Sequence, residues 1–205
     1  MLTSRDYSSL VVDRLCDRTR GQNTAVVCFY FNFAARKQHT ATSMLGSLLK
    51  LVISGMERVP EEISHALQEE KKAFSGRKPQ LGDIVRMLQL ITSAQRIFMV
   101  IDALDECTAA QRFRLFDTWK EILGNSPGSR IFMTGRHHIR PEITTRLAGL
   151  VTSIYLGLTR DDIIRFLRAR LSEGDIPDAM DENLEAAILE KIPRSISEMY
   201  VAAMM

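Results

Sequence analysis

Long apolar runs are missing from this sequence. No stretch approaches the roughly 18–20 consecutive apolar residues that a membrane helix needs, and residues 1–15 carry charges where a secretory leader has an uninterrupted apolar core. The expectation is a soluble, cytoplasmic protein. Cysteine is scarce as well: Cys16, Cys28 and Cys107 are odd in number, far apart and without metal-ligand spacing, which points to reduced thiols rather than a disulfide frame. An excess of one charge is also lacking, because 27 Lys and Arg stand against 25 Asp and Glu, interspersed and without a basic face. Neither nucleic acid nor an anionic membrane is therefore an expected partner. Repeats and low-complexity tracts are absent, and the 11 glycines and 6 prolines fall as punctuation between periodic segments. What is present, 205 residues with 45% hydrophobic and 25% charged positions, suffices for one globular domain with a sizeable core.

Periodicity divides the chain into alternating elements. Tyr7, Leu10, Val11 and Leu15 recur at helical spacing and predict a helix over residues 5–19, ended by Gly21. Residues 25–33 are a β-branched and aromatic run, too short for a helix and so a buried strand. Three helical patterns follow, carried by Met44 to Met56, by Ile63 to Phe74 after Pro60, and by Ile84 to Ile91. Residues 96–101 form a second apolar strand, and Thr108 with Gln111 reads as a capping box opening a helix through Phe113, Phe116, Trp119 and Leu123. Residues 131–134 are a third strand, 141–147 a short helix and 151–156 a fourth strand, after which Thr159 and Asp162 cap a helix to Leu171. Two further helices, near 181–191 and 195–204, complete the reading, with a division into an α/β domain over 1–172 and a helical extension over 173–205. Continuous apolar strands alternating with helices predict a mostly parallel sheet covered on both faces. Ligands of such sheets sit beyond the carboxyl ends of the strands.

Two strand ends carry the chemistry. The strand Ile97-Phe98-Met99-Val100-Ile101 runs directly into Asp102, with Asp105 and Glu106 close behind. A hydrated Mg²⁺ takes hard oxygen ligands, few from protein, with water and substrate phosphate completing its octahedron. Asp102 is the candidate magnesium residue, acting through water. Asp105 or Glu106 is the candidate to orient or deprotonate a water attacking a γ-phosphate. The alternative is an acidic turn that merely caps the next helix. The strand Arg130-Ile131-Phe132-Met133 ends in Thr134, Gly135 and Arg136, and a helix long enough for a right-handed crossover separates the two strands. If they adjoin, Thr134 and Arg136 flank the same cleft, where a guanidinium can meet phosphate oxygens bidentately. Glu142 is the competing partner for Arg136. His137 and His138 follow, but neighbouring residues on an extended segment point to opposite faces, so they are assigned no role.

Together these residues resemble the NACHT-type signalling NTPases of the STAND class, most closely the fungal nephrocystin-3-like N-terminal domain. The resemblance is carried by the Val26 to Phe33 strand, Asp-Ala-Leu-Asp-Glu at 102–106 in the place of a Walker B motif, Met-Thr-Gly-Arg at 133–136 as a sensor strand, and the Thr159 to Leu171 helix. It implies an α/β P-loop NTPase fold of the ASCE type, binding of ATP or GTP with Mg²⁺, and a nucleotide-controlled switch in oligomerisation and signalling. It also implies Asp102 as the magnesium residue, Asp105 or Glu106 as the catalytic acid/base and Arg136 as the sensor.

One part of the pattern is not there. No Gly-Lys pair occurs in the sequence, so the glycine-rich phosphate loop has no counterpart, and Met1 to Ser4 stand where residues just after its lysine belong. The chain reads as lacking both that loop and the first strand, which in the family lies between the sensor strand and the last one. Loss of three charge-assisted hydrogen bonds, at about 1.5–3 kcal/mol each, removes about three to six decades of affinity, so activity of this chain alone is expected to be weak or absent. A missing central strand is further expected to leave ladder groups unpaired, to displace residues 151–156, and to favour pairing with protein partners or self-association. The two functional expectations are a partial NTPase switch module and a non-enzymatic interaction module, the latter using the sheet edge and an amphipathic C-terminal helix at Ile196, Met199, Tyr200 and Ala203.

Overall fold

The computed structural model describes residues 4–35, 38–56, 59, 61, 64–65, 68–69, 72, 78–124, 126, 128–156, 160–172, 182–195 and 199–204. The elements run α1 (Ser4–Thr19), β1 (Thr24–Tyr30), α2 (Ala41–Ser54), α3 (Leu81–Ala94), β2 (Arg96–Asp102), α4 (Ala109–Gly124), β3 (Arg130–Arg136), α5 (Arg140–Arg146), β4 (Val151–Leu156), α6 (Arg160–Ser172), α7 (Glu182–Ser195) and β5 (Met199–Met204). Much of the expected pattern over 63–77, and the Thr159 cap, lie outside the described residues.

The sheet has five strands in the order β1-β2-β3-β5-β4. β1, β2 and β3 are parallel, as the sequence predicts for strands joined by helical crossovers. Met99, Val100 and Ile101 alternate between the two faces of β2, yet all three are buried, so helices cover both sides there. α1 lies against β1 and β2 and reaches β3, while α2 packs on β1 and joins α3 and α4. α2 is fixed at its start by a reciprocal cap in which Thr40 Oγ1 accepts from the Ser43 amide and Ser43 Oγ accepts from the Thr40 amide. Met44, Leu45 and Leu48 of α2, Leu88 and Ile91 of α3 and Phe116 and Trp119 of α4 are fully buried. Each such side chain contributes about 1.5–3 kcal/mol of transfer free energy.

The remaining half of the sheet departs from the expectation. Residues 199–204 form strand β5, not a helix, and β5 runs antiparallel to both β3 and β4. β3 and β4, each antiparallel to β5, are therefore parallel to one another, with the reversed strand between them. The gap expected beside the third strand is thus filled by the chain itself, and residues 151–156 are not displaced but form β4, paired to β5 from Val151↔Met204 to Leu156↔Met199. The physical reason is the ladder: β5 satisfies the facing backbone groups of two strands at once, which a helix over the same residues does not. Two local readings also change. Leu10 is half exposed, and the inward face of α1 carries Ser8, with Val11, Val12 and Leu15 partly covered. Gln111 does not complete a box with Thr108 but accepts a hydrogen bond from the Ala41 amide at 2.9 Å, linking α4 to α2.

Candidate functional site

β2 and β3 adjoin in parallel, with Phe98 opposite Arg130 and Ile101 opposite Met133, so their carboxyl ends open on one rim. That adjacency brings Asp102, Asp105, Glu106, Thr134 and Arg136 together. Asp102 ends β2 with only 4% of its surface exposed. Its Oδ1 accepts two hydrogen bonds of 2.6 Å, from Ser8 Oγ of α1 and from Thr134 Oγ1 of β3. Both hydroxyls are themselves buried, at 0% and 1% exposure. A buried carboxylate is costly unless its oxygens are hydrogen-bonded, and two charge-assisted bonds hold this one in a single orientation.

The chain then turns sharply. Ala103 adopts a left-handed conformation (φ 54°, ψ 47°), which costs a non-glycine residue about 1 kcal/mol or more. Its amide donates to Thr134 Oγ1 at 3.1 Å, so the same hydroxyl that donates to Asp102 also pins the turn. The turn leads into a short 3₁₀ segment, Leu104–Glu106, anchored by the fully buried Leu104. Asp105 thereby swings back over β3, where its Oδ1 accepts from the Arg136 amide at 3.1 Å. Gly135 makes room for this approach. A Cβ there would stand 3.3 Å from Asp105 Oδ1 and 2.7 Å from Cδ1 of the buried Ile139.

The Arg136 guanidinium faces both acidic neighbours, with Nε 3.5 Å from Asp105 Oδ2 and Nη2 3.6 Å from Glu106 Oε1. At 63% exposure this is a loose ion pair in a wet setting, of small net energy. Glu142, the competing partner for Arg136, is engaged elsewhere. It receives a bidentate pair of 2.7 Å bonds from Arg112, whose remaining nitrogen donates to the Cys107 carbonyl, tying α4 to α5.

Tyr30 closes the β1 side, opposite Asp102 in the ladder. Burial raises its phenol above the ordinary value of 10.0; the Ser9 hydroxyl works against this, and Cys28 and the Asp102 carboxylate add to it. Beyond Arg136, His137, His138, Arg140, Pro141, Thr144 and Thr145 line an open groove, and both imidazoles are exposed.

All five site residues read from the sequence therefore meet at one rim. Ser8 and Tyr30 belong to it too and carry no local motif, and Ala103 and Gly135, which lie inside the two motifs, join it through their backbone. The oxygen-only donor set of Asp102, Ser8 and Thr134 fits a hard cation better than a thiophilic metal. Among the described residues no three His, Cys, Asp or Glu side chains converge to hold a metal, so any cation here would depend on water and ligand oxygens for most of its shell.

No helix among the described residues is long and apolar enough to cross a membrane. No curated protein and no solved structure matches the chain. A family model does: residues 7–136, more than half of the sequence and the segment that contains every site residue discussed above, match the nephrocystin 3 N-terminal family, and the chain belongs to that family.

Proposed function

We propose that the chain is a NACHT-like regulatory module of the P-loop NTPase class, whose rim site takes a magnesium-bound purine nucleoside triphosphate weakly. The observation that carries this reading is the pairing of two adjoining parallel strands, one ending in the doubly hydrogen-bonded Asp102 and the other in Thr134 and Arg136. In this reading Asp102 orders the water shell of the magnesium, and Ser8 and Thr134 fix the carboxylate so that no reorganisation is needed when charge arrives. Arg136 would exchange its loose contacts with Asp105 and Glu106 for ligand phosphate, which would leave Glu106 able to orient a water while Asp105 stays bonded to the Arg136 amide. The magnesium supplies charge neutralisation of the phosphates when bound. Asp105 is the more restrained carboxylate, and Glu106, more exposed and held among the described residues by the 3.6 Å contact, is the better candidate base.

The family match and the rim geometry support this reading, and the absence of a Gly-Lys pair sets its scale. These 205 residues hold no glycine-rich loop with a Gly-Lys pair to cradle phosphate, so in this reading binding by this chain alone is weak, turnover is slow or nil, and regulation through protein contacts is the working role. Titration of fluorescent ATP and GTP analogues with and without Mg²⁺ tests it. Weak magnesium-dependent binding that Asp102→Asn abolishes supports the proposal. Binding that ignores magnesium, binding that survives Asp102→Asn, or no binding at millimolar nucleotide overturns it.

A further inference from the structure

β5 occupies its place by pairing and not by local preference. Met199, Ala202, Ala203 and Met204 are strong helix formers, and Ile196, Met199, Tyr200 and Ala203 follow helical spacing. Residues 199–204 nevertheless stand as a strand between β3 and β4, with six ladder partners on each side. The strand conformation is thus imposed by the slot. Two strand edges, residues 131–136 and 151–156, meet only through this segment, and both would be unpaired without it.

The tether of β5 is weakly embedded. It follows α7, which packs on α6, yet none of residues 183–192 is buried, and Leu184 and Ile192 are 44% and 36% exposed. On β4, the outer side of the slot, Thr152, Ser153 and Ile154 are exposed, and Val151 packs against the core. Removing β5 together with α7 from the rest of the molecule therefore uncovers little apolar side-chain area around α7. Its removal breaks the two backbone ladders, and an identical strand from a second copy restores those ladders completely.

We propose that the slot between β3 and β4 is a strand-exchange site whose partner is a second copy of this chain, each copy seating its β5 between the other's β3 and β4. The second copy is the occupant because its β5 reproduces every register pair already seen and leaves neither edge of the slot unpaired in either molecule, as a closed two-fold exchange requires. The closed monomer and the exchanged dimer contain the same pairings, so concentration sets the balance between them. This inference does not rest on the nucleotide reading: the slot shares the backbone of Thr134, Gly135 and Arg136 with the rim but uses none of their side-chain chemistry.

The test uses the ladder pair Thr152↔Ala203, because directly opposed residues of an antiparallel pair lie within the Cα separation a disulfide spans. Full-length chains carrying Cys16→Ser and Cys28→Ser, one with Thr152→Cys and the other with Ala203→Cys, are mixed at high concentration and oxidised. The expected product is a heterodimer with a mapped 152–203 disulfide, more than tenfold reduced when the Ala203→Cys chain also carries Val201→Pro, since proline removes a ladder donor from a central strand. Three results each overturn the proposal. The first is a mixture that stays monomeric while the double variant Thr152→Cys/Ala203→Cys closes on itself. The second is no 152–203 bond in either arrangement. The third is a heterodimer that Val201→Pro leaves unchanged.

Discussion

The two halves of the sheet are held in different ways. In the β1–β3 half, successive residues of β2 are buried on both faces beneath helices that include α1 and α3, α2 covers β1, and the strand interiors are mainly apolar. In the β5–β4 half, β4 exposes Thr152, Ser153 and Ile154 in a row; Val151 packs against the core, and the strand is joined to the sheet by the backbone ladder to a reversed strand. The first half is specified by side-chain burial, the second by hydrogen bonds between segments distant in sequence. Burial contributes in proportion to apolar area, whereas a backbone bond nets only about 1 kcal/mol after its exchange with water. The rim chemistry sits on the firmly packed half, and the exchangeable strand lies beside it.

The largest test of this contrast lies in the core. Trp119 is fully buried against Phe116, with ring centroids 5.9 Å apart. Trp119→Ala is expected to cost about 3–5 kcal/mol by chemical denaturation, whereas Ile154→Ser on β4, 53% exposed, should stay within about 0.5 kcal/mol. Comparable losses from the two would erase the distinction between the halves. Native-state hydrogen exchange sharpens it further, since the amides of β2 should open only with global unfolding and those of β4 well before.

Smaller effects are expected at the rim. Ser8→Ala removes one of two hydroxyl donors to Asp102 and should destabilise by about 1–3 kcal/mol, because a buried carboxylate loses a partner. Gly135→Ala should cost a similar amount, about 1–3 kcal/mol, as the new methyl pushes on Ile139. A Ser8→Ala protein as stable as the parent would mean that Asp102 does not depend on α1. The smallest effect concerns Tyr30. Its phenol titrates above the ordinary value of 10.0 in the fold, so the folded state holds that proton more tightly than the unfolded chain. Stability is unaffected below the ordinary value and falls as pH rises through the folded value. Tyr30→Phe should flatten that alkaline decline, measured as the denaturation midpoint between pH 9 and pH 11, on the order of the shift's own range.

Legibility in the sequence follows the same division. β2 could be read from five apolar residues in a row and β3 from three, and Asp102 and Arg136 from the polar ends of those strands. Burial on both faces leaves that continuous signature locally. β5 could not be read so, because its alanines and methionines carry helical propensity and its strand form depends on two partners far along the chain. Ser8 was hidden for a related reason: its bond to Asp102 spans 94 positions, and its only local mark is a small polar residue on the inward face of an amphipathic helix. Gly135 had a faint signal, a glycine inside an apolar strand, which marks close backbone approach. Arg112 took Glu142 away from Arg136, a choice set by how α4 and α5 pack and not by spacing.

The central claim is that the joined ends of β2 and β3 form a magnesium-nucleotide site. Backbone amide NMR of residues 102–106 and 134–136 during titration with magnesium and ATP addresses it most directly. The account predicts shifts concentrated in those two segments and in Ser8, dependent on magnesium and lost in Asp102→Asn. Shifts confined to other surfaces, or the same shifts in Asp102→Asn, would contradict it.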